Sequence, residues 1–117
     1  VTGVQTCALP ISVPNYLLGR SLRPVAENQE DNARRLYVVA ENNTGRMIRS
    51  DHYKYCVYKS GKIRESLVDL RADPGEMKNL AGQACFGKHL NKHREFLKQW
   101  IKESNDITAK AFAIEPN

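Results

Sequence analysis

Apolar residues in the last third of the chain recur every three or four positions: Phe86, Leu90, His93, Phe96, Leu97, Trp100 and Ile101. Lys88, Lys92, Arg94, Glu95, Lys98, Gln99 and Lys102 fill the positions between them. That period predicts an amphipathic helix over about Lys88 to Glu103, with Trp100 in its buried stripe and Arg94 on its polar face. Upstream the period changes to two. Tyr53, Tyr55 and Val57 share one face of an extended segment, and Lys54, Cys56 and Tyr58 the other. Leu36 to Glu41 is short, apolar and β-branched, and Glu41-Asn-Asn-Thr-Gly45 supplies residues that end a strand and reverse the chain. Arg46 to Arg49 leads into the alternating segment, Lys59-Ser-Gly-Lys62 reads as a hairpin turn, and Glu65 to Leu70 reads as a further strand. Asp73-Pro-Gly-Glu76 places Pro and Gly as a type II turn requires. The expected fold class is α+β: a small antiparallel sheet of about four strands packed by a C-terminal amphipathic helix. Beyond Asn105 the pattern gives only weak signals.

Composition narrows the class further. The 117 residues hold 18 Lys plus Arg against 13 Asp plus Glu, a formal charge of +5, with 41% hydrophobic and 26% charged residues. This is a single, basic, globular-type domain. No apolar run approaches the roughly 18 residues of a membrane span, so none is expected. The charge is uneven, because residues 1–11, V-T-G-V-Q-T-C-A-L-P-I, contain no charged side chain, no helical or strand period and no secretion-signal order. This block resembles, residue for residue, the in-frame translation of a common sequencing-library adapter. It is read as a non-native scar, with the natural N-terminus and any export signal expected upstream. Residues 12–34, with Pro14, Gly19, Pro24 and an acidic stretch from Glu27 to Asp31, read as an extended connector. Residues 35–117 form the folded unit.

Candidate chemistry is sparse. His89 and His93 stand four apart, the helical spacing of two metal-binding imidazoles, but Leu90 replaces the Glu of the zincin pattern and no third ligand is evident. His93 is therefore expected as a hydrogen-bonded packing residue and His89 as a solvated one. Asp69, Asp73 and Glu76 lack the alternate spacing of a calcium loop and are expected in turns and caps. With Cys7 in the scar, Cys56 and Cys85 remain, either as two thiols or as one disulfide, without zinc-site spacing. Asn42-Asn-Thr44 is a formal glycosylation sequon. His52 to Lys62 interleaves aromatic and basic residues, yet its tyrosines fall on opposite faces and no RNA-recognition signature is present, so nucleic acid is not an expected partner. No nucleophile with a base, phosphate-cradling loop or serine elbow can be assembled.

Four segments in order carry a family resemblance. Gly19-Arg-Ser-Leu-Arg-Pro24 is similar to a Gly-x-Ser-Leu-x-Pro segment of the sulfatases, the alkaline-phosphatase-like hydrolases of sulfate esters. Arg46-Met-Ile-Arg-Ser-Asp-His-Tyr-Lys-Tyr55 is similar to their Arg-x-x-Arg-Thr-x-x-Tyr-Lys-Tyr strand pair. Glu65 to Ala81 resembles their Glu-x-Leu-Tyr-Asp-Leu, Asp-Pro-x-Glu and Asn-Leu-Ala run, with Val68 where Tyr or Phe is usual, and His93-Arg94, Trp100 and Asp106 fit the closing helix. The resemblance covers Asn15 to Asp106. It implies a C-terminal subdomain that borders the substrate cleft of a larger enzyme acting on a sulfated carbohydrate, periplasmic or secreted. It further implies a catalytic domain upstream as partner, carrying calcium and a formylglycine made from Cys or Ser in a Cys/Ser-x-Pro-x-Arg motif. Neither Cys7-Ala-Leu nor Ser12-Val-Pro-Asn-Tyr16 is that motif, so this chain alone is expected to be inactive, with no catalytic or metal-binding residue. The substrate contacts the resemblance suggests are Glu41, Asn42, Arg46 and His52. In this reading Arg46 pairs with a sulfate or uronate oxygen, and Glu41 or Asn42 holds sugar hydroxyls. The opposed reading makes Arg46 a structural ion pair and leaves His52 in solvent. A free-standing basic module for anionic ligands is the alternative function.

Overall fold

The computed structural model describes residues 12, 14–28 and 35–115; the adapter-like block 1–11 lies outside them. Four antiparallel strands run in the order β1-β2-β3-β4: β1 Val38–Glu41, β2 Gly45–Arg49, β3 Tyr53–Tyr58 and β4 Glu65–Asp69. One helix follows them, and the α+β class holds. Strand β1 starts two residues later than the pattern suggested, with Leu36 left 78% exposed before it. A one-turn helix, α1, Arg23–Ala26, interrupts the connector, with Pro24 in its first turn, where a missing N–H does no harm.

Register puts the apolar side chains on one face. Val39, Ile48, Tyr55 and Leu67 lie side by side across the sheet, and Arg46, Val57 and Glu65 form the next row. The 18-residue helix α2, Gly87–Ser104, lies on that face behind a 3-10 turn, Ala84–Phe86. Leu90, Leu97 and Ile101 from α2 close the core with Leu80, Ala109 and Phe112. Trp100 and Phe96 are only partly buried at its margin, so the expectation of Trp100 in the core holds in part. The weak tail proves to be structured. Asn105 ends α2 in the left-handed conformation, and a 3-10 helix, Thr108–Phe112, buries Ala109 and Phe112.

Arg94 departs most from the pattern. Placed on the polar face by its spacing, its side chain is only 7% exposed. Its Nε and Nη2 donate to the two Glu65 oxygens at 2.8 and 2.6 Å, its Nη1 donates to Asn91 Oδ1 at 3.0 Å, and the Tyr55 hydroxyl donates to Glu65 Oε1 at 2.7 Å. A bidentate charged pair is stable at such depth because both groups are fully hydrogen-bonded.

The two sheet edges are finished differently. At β4 the side chain of Asn79 brackets the backbone: Oδ1 accepts from Leu67 and Ala81 N–H at 3.0 Å each, and Nδ2 donates to the Glu65 carbonyl at 3.1 Å. Leu80 N–H then donates to the Leu67 carbonyl at 2.7 Å. At β1 no described strand pairs with the outer side. The 73–76 turn closes through Glu76 N–H to the Asp73 carbonyl at 3.1 Å, but the positive φ falls on Glu76 at 58° and not on Gly75. A type II turn is thereby excluded. The Glu76 side chain also pairs with Lys54 at 2.6 Å. Gly61, at φ 121°, supplies the freedom that the β3–β4 hairpin needs.

Replacing Arg94 by Ala leaves Glu65 buried without its counter-charge, and should cost about 3–5 kcal/mol of unfolding free energy. Lys102→Ala, on the solvent side of the same helix, should shift it by less than about 0.5 kcal/mol. Urea denaturation of both variants decides; equal effects would mean that Arg94 lies on the polar face after all.

Candidate functional site

The four suggested contacts occupy two places. Glu41, Asn42 and Arg46 stand at the β1–β2 turn, whereas His52 stands in the β2–β3 turn at the other end of β2. A five-residue strand separates the two ends by about 13 Å at the usual rise per residue.

At the first place the turn is tied internally. Asn42 Oδ1 accepts from the backbone of Thr44 at 2.9 Å, from its hydroxyl at 3.1 Å and from the backbone of Gly45 at 2.7 Å. This is the behaviour that makes Asn a turn residue. Arg46 reaches back across the turn, with Nη1 donating to the Asn42 and Gly45 carbonyls at 2.7 and 3.0 Å. Its Nη2 donates at 3.4 Å to both Asp106 Oδ2 and Thr108 Oγ1. The Phe112 ring lies 4.5 Å from the guanidinium carbon. Nε sits 3.3 Å from Glu41 Oε2, within ion-pair range but too poorly aligned to count as a hydrogen bond. The guanidinium is thus enclosed, its side chain 6% exposed, and neutralised by Glu41 and Asp106. Glu41 itself is half exposed. Hydrogen bonds from the Thr108 hydroxyl and from the backbone of Thr108 and Ala109, joined by Arg46, hold the Asp106 carboxyl below its ordinary value. Arg46 therefore locks the C-terminal 3-10 helix to the sheet, a role the weak tail pattern gave no means of foreseeing.

At the second place His52, Tyr53, His89, Lys92 and Arg35 line a groove of about 650 Å³ between the β2–β3 turn and the first half of α2. Tyr53 stacks on His89 with ring centroids 4.6 Å apart, so His89, expected in solvent, is half-buried against an aromatic face. His93 beneath them is buried. Its Nδ1 lies 2.7 Å from the His89 carbonyl, which only accepts, so that nitrogen carries the proton; Nε2 then accepts from the Ser50 hydroxyl at 2.8 Å. Both ring nitrogens of His93 are engaged within the fold, as expected of a packing histidine. Sequence spacing revealed the His pair but not Arg35 or Lys92, which only the tertiary fold brings to the same groove.

The remaining candidates are local fasteners. Asp69 Oδ1 accepts from the backbone of Arg71 and Ala72, and Asp73 Oδ2 from that of Lys78, as turn and cap roles require. Among the described residues no three His, Cys, Asp or Glu side chains converge as cation ligands. Cys56 and Cys85 are free thiols, and burial pushes the Cys56 thiol up. Tyr55, in the interleaved aromatic and basic segment, is fully buried, and its hydroxyl is raised by burial and by the Glu65 carboxylate. No helix of the described residues is long and apolar enough to cross a membrane.

No protein-family model matches the chain. Comparison with curated proteins finds a Δ4,5-hexuronate-2-O-sulfatase of Bacteroides thetaiotaomicron, 38% identical over 104 residues, a match of 82% of this chain and 21% of that protein. Among solved structures a 2-O glycosaminoglycan sulfatase matches at 34% identity with a TM-score of 0.72, covering 92% of this chain and 24% of that one. A further structure, solved in complex with its substrate D-glucosamine-2-N,6-O-disulfate, matches at 25% identity with a TM-score of 0.70, covering 83% and 22%. The chain thus spans about a fifth to a quarter of the length of these relatives, and the segment it matches is C-terminal.

Besides Asp106, whose lowered carboxyl acts at still lower pH, two groups between helix and sheet contribute to the acid side of stability. Burial holds the His93 imidazole below its ordinary 6.5, opposed by its bond to the His89 carbonyl. Burial alone would raise the Glu65 carboxyl, but the Arg94 guanidinium and Tyr55 hydroxyl outweigh it and leave it below 4.5. In each case the unfolded chain binds the proton first, so stability rises with pH through the interval between the native and unfolded values. Unfolding free energy should therefore begin to fall as pH drops below 6.5, and fall again below 4.5. His93→Gln should flatten the first decline and leave the second. A pH series of urea titrations that shows no loss between 6.5 and 5 would contradict the buried neutral imidazole.

Proposed function

We propose, for a chain that matches the C-terminal segment of the sulfatases over most of its own length, that it is the C-terminal part of an enzyme hydrolysing sulfate esters of carbohydrates. The observation that carries this reading is the 38% identity over 104 residues to a hexuronate-2-O-sulfatase. The substrate class is supported by the names of the relatives, which act on a hexuronate, a glycosaminoglycan and a disulfated glucosamine. An exported location, periplasmic or secreted, follows from the same kinship.

Sulfatase chemistry draws on calcium and a formylglycine, and the described residues do not fit either group. They gather no cation ligand set, while Cys56 precedes Val-Tyr-Lys and Cys85 precedes Phe-Gly-Lys, neither with the Pro and Arg that formylglycine formation requires. Those groups belong to the upstream catalytic domain, and this chain contributes scaffold and substrate contacts. Glu41 offers a half-exposed carboxylate beside a turn that Asn42 and Arg46 hold rigid, so Arg46 serves the site as a positioning residue. His52 offers an imidazole at the mouth of a groove flanked by Arg35 and Lys92.

The 117-residue chain by itself should turn over no aryl sulfate; activity that co-purifies with the monomer and survives chelation would contradict the reading. In the full-length enzyme His52→Ala and Glu41→Ala should lower kcat/KM on a sulfated glycan and spare a small aryl sulfate, because only the glycan reaches beyond the reacting ester. Arg46→Ala should lower the melting temperature as well as glycan turnover. Equal losses on both substrates for His52→Ala, with a lowered melting temperature, would reduce His52 to a structural role.

A further inference from the structure

Polar groups without partners converge on the groove of about 650 Å³ between the β2–β3 turn and the first half of α2. The floor of that groove is fixed. Ser50 Oγ lies 2.8 Å from His93 Nε2, and His93 Nδ1 lies 2.7 Å from the His89 carbonyl. Stacking on Tyr53 at 4.6 Å sets the plane of the His89 ring. Around this floor, among the described residues, neither the His52 nor the His89 imidazole has a hydrogen-bond partner, and the Lys92 ammonium has no ion pair. Lys92 Nζ lies instead 5.6 Å from the centroid of the Phe96 ring. Arg35 donates from Nη2 to the Leu18 carbonyl at 3.0 Å. Asp51 is the one carboxylate among the lining residues, and it has a partner already. The contrast is with Arg46 and Arg94, which carboxylates neutralise inside the fold.

We infer that this groove is a subsite for a second acidic group of the glycan, a sulfate or a carboxylate that is not itself hydrolysed. The inference deepens the reading under Proposed function and rests on it. Lys92 and Arg35 supply positive charge, and His52 and His89 each supply a ring N–H in either neutral tautomer. A sulfate or carboxylate offers the acceptor oxygens that such donors lack, in charge-assisted hydrogen bonds. A floor fixed by Ser50 and His93 presents the donors already in place, which lowers the cost of binding. Size argues against a lone inorganic anion. The groove falls in the range of sites for small organic ligands, about 300–1,000 Å³, and Leu36, Tyr53 and Phe96 give it the apolar walls that such sites use. The ester to be cleaved must meet the formylglycine, for which this chain has no motif, so the group held here is a different one.

The test uses the full-length enzyme and a uronate-containing disaccharide that bears the cleavable sulfate and a second one. It is compared intact, with its carboxylate reduced to the alcohol, and with its second sulfate removed. For the wild type, KM should rise about tenfold on the change that removes the bound group, with kcat unchanged, as one charge-assisted contact predicts. A rise on reduction marks a uronate subsite, and a rise on desulfation a sulfate subsite. Lys92→Ala should raise KM for the intact sugar by a similar factor and no longer discriminate among the forms, and Lys92→Arg should restore the discrimination. Lys102→Ala, on the solvent side of α2, should behave as the wild type. Lys92 is exposed, so its replacement should leave the melting temperature unchanged. Equal KM for all forms in the wild type, or discrimination that survives in both Lys92→Ala and Arg35→Ala, overturns the subsite, while release of sulfate leaves the functional reading standing. A full-length protein that hydrolyses no sulfate ester refutes that reading. Calorimetry with the intact disaccharide then decides the groove by itself: binding lost in Lys92→Ala supports it, and equal binding by both proteins overturns it.

Discussion

The carboxylate of Glu65 sits where a strand, a helix and an aromatic hydroxyl meet, and the placement of the other elements depends on it. Its two oxygens take the Arg94 guanidinium in a fork, and one of them also accepts from Tyr55, whose ring is fully buried in the centre of the sheet. Apolar contacts between Leu97, Ile101 and the sheet tolerate a slide of a fraction of a turn. A bidentate charged pair does not, because any slide leaves a buried ion short of a partner at a cost of several kcal/mol. The pair therefore fixes the register of α2 against β4, and with it the position of every residue further along the helix.

A similar logic recurs at the ends of the sheet with different chemistry. Arg46 gathers the β1–β2 turn, the Asp106 cap and the Phe112 ring into one cluster. Asn79 does for the β4 edge what another strand would have done, satisfying one backbone N–H and one carbonyl with a single side chain. Several residues that carry the family resemblance, Arg46, Glu65, Asn79, Arg94 and Asp106, are thus ones whose polar groups are consumed inside the subdomain. The fold accounts for their presence before any substrate is considered.

This division bears on the site. A residue enclosed as Arg46 is cannot also present its charge to a ligand without releasing Asp106 and the tail that Asp106 caps. Glu41, at one end of β2, pairs with Arg46 and is half exposed, whereas His52, at the other end, lines the groove beside α2.

The sequence by itself determined the periodic features: the four strands and their order, the face shared by Tyr53, Tyr55 and Val57, the span of the helix, and the packing role of His93. Each follows from local spacing, because a side chain's face within a strand or helix depends only on its neighbours in the chain. Even the motif order that marks the sulfatases is readable without coordinates. What the tertiary structure alone decided are pairings between distant residues. Arg94 looks like a surface cation until Glu65, 29 positions away, supplies its partner. Arg46 looks like a free anion contact until Asp106 and Thr108, 60 and 62 positions away, close over it. The 3-10 helix Thr108–Phe112 looks weak because its two buried residues, Ala109 and Phe112, gain their burial from a sheet and a helix they do not belong to. A local pattern records whether a residue is polar. Whether its charge remains available depends on what the fold sets opposite it, and desolvation makes that choice all or none.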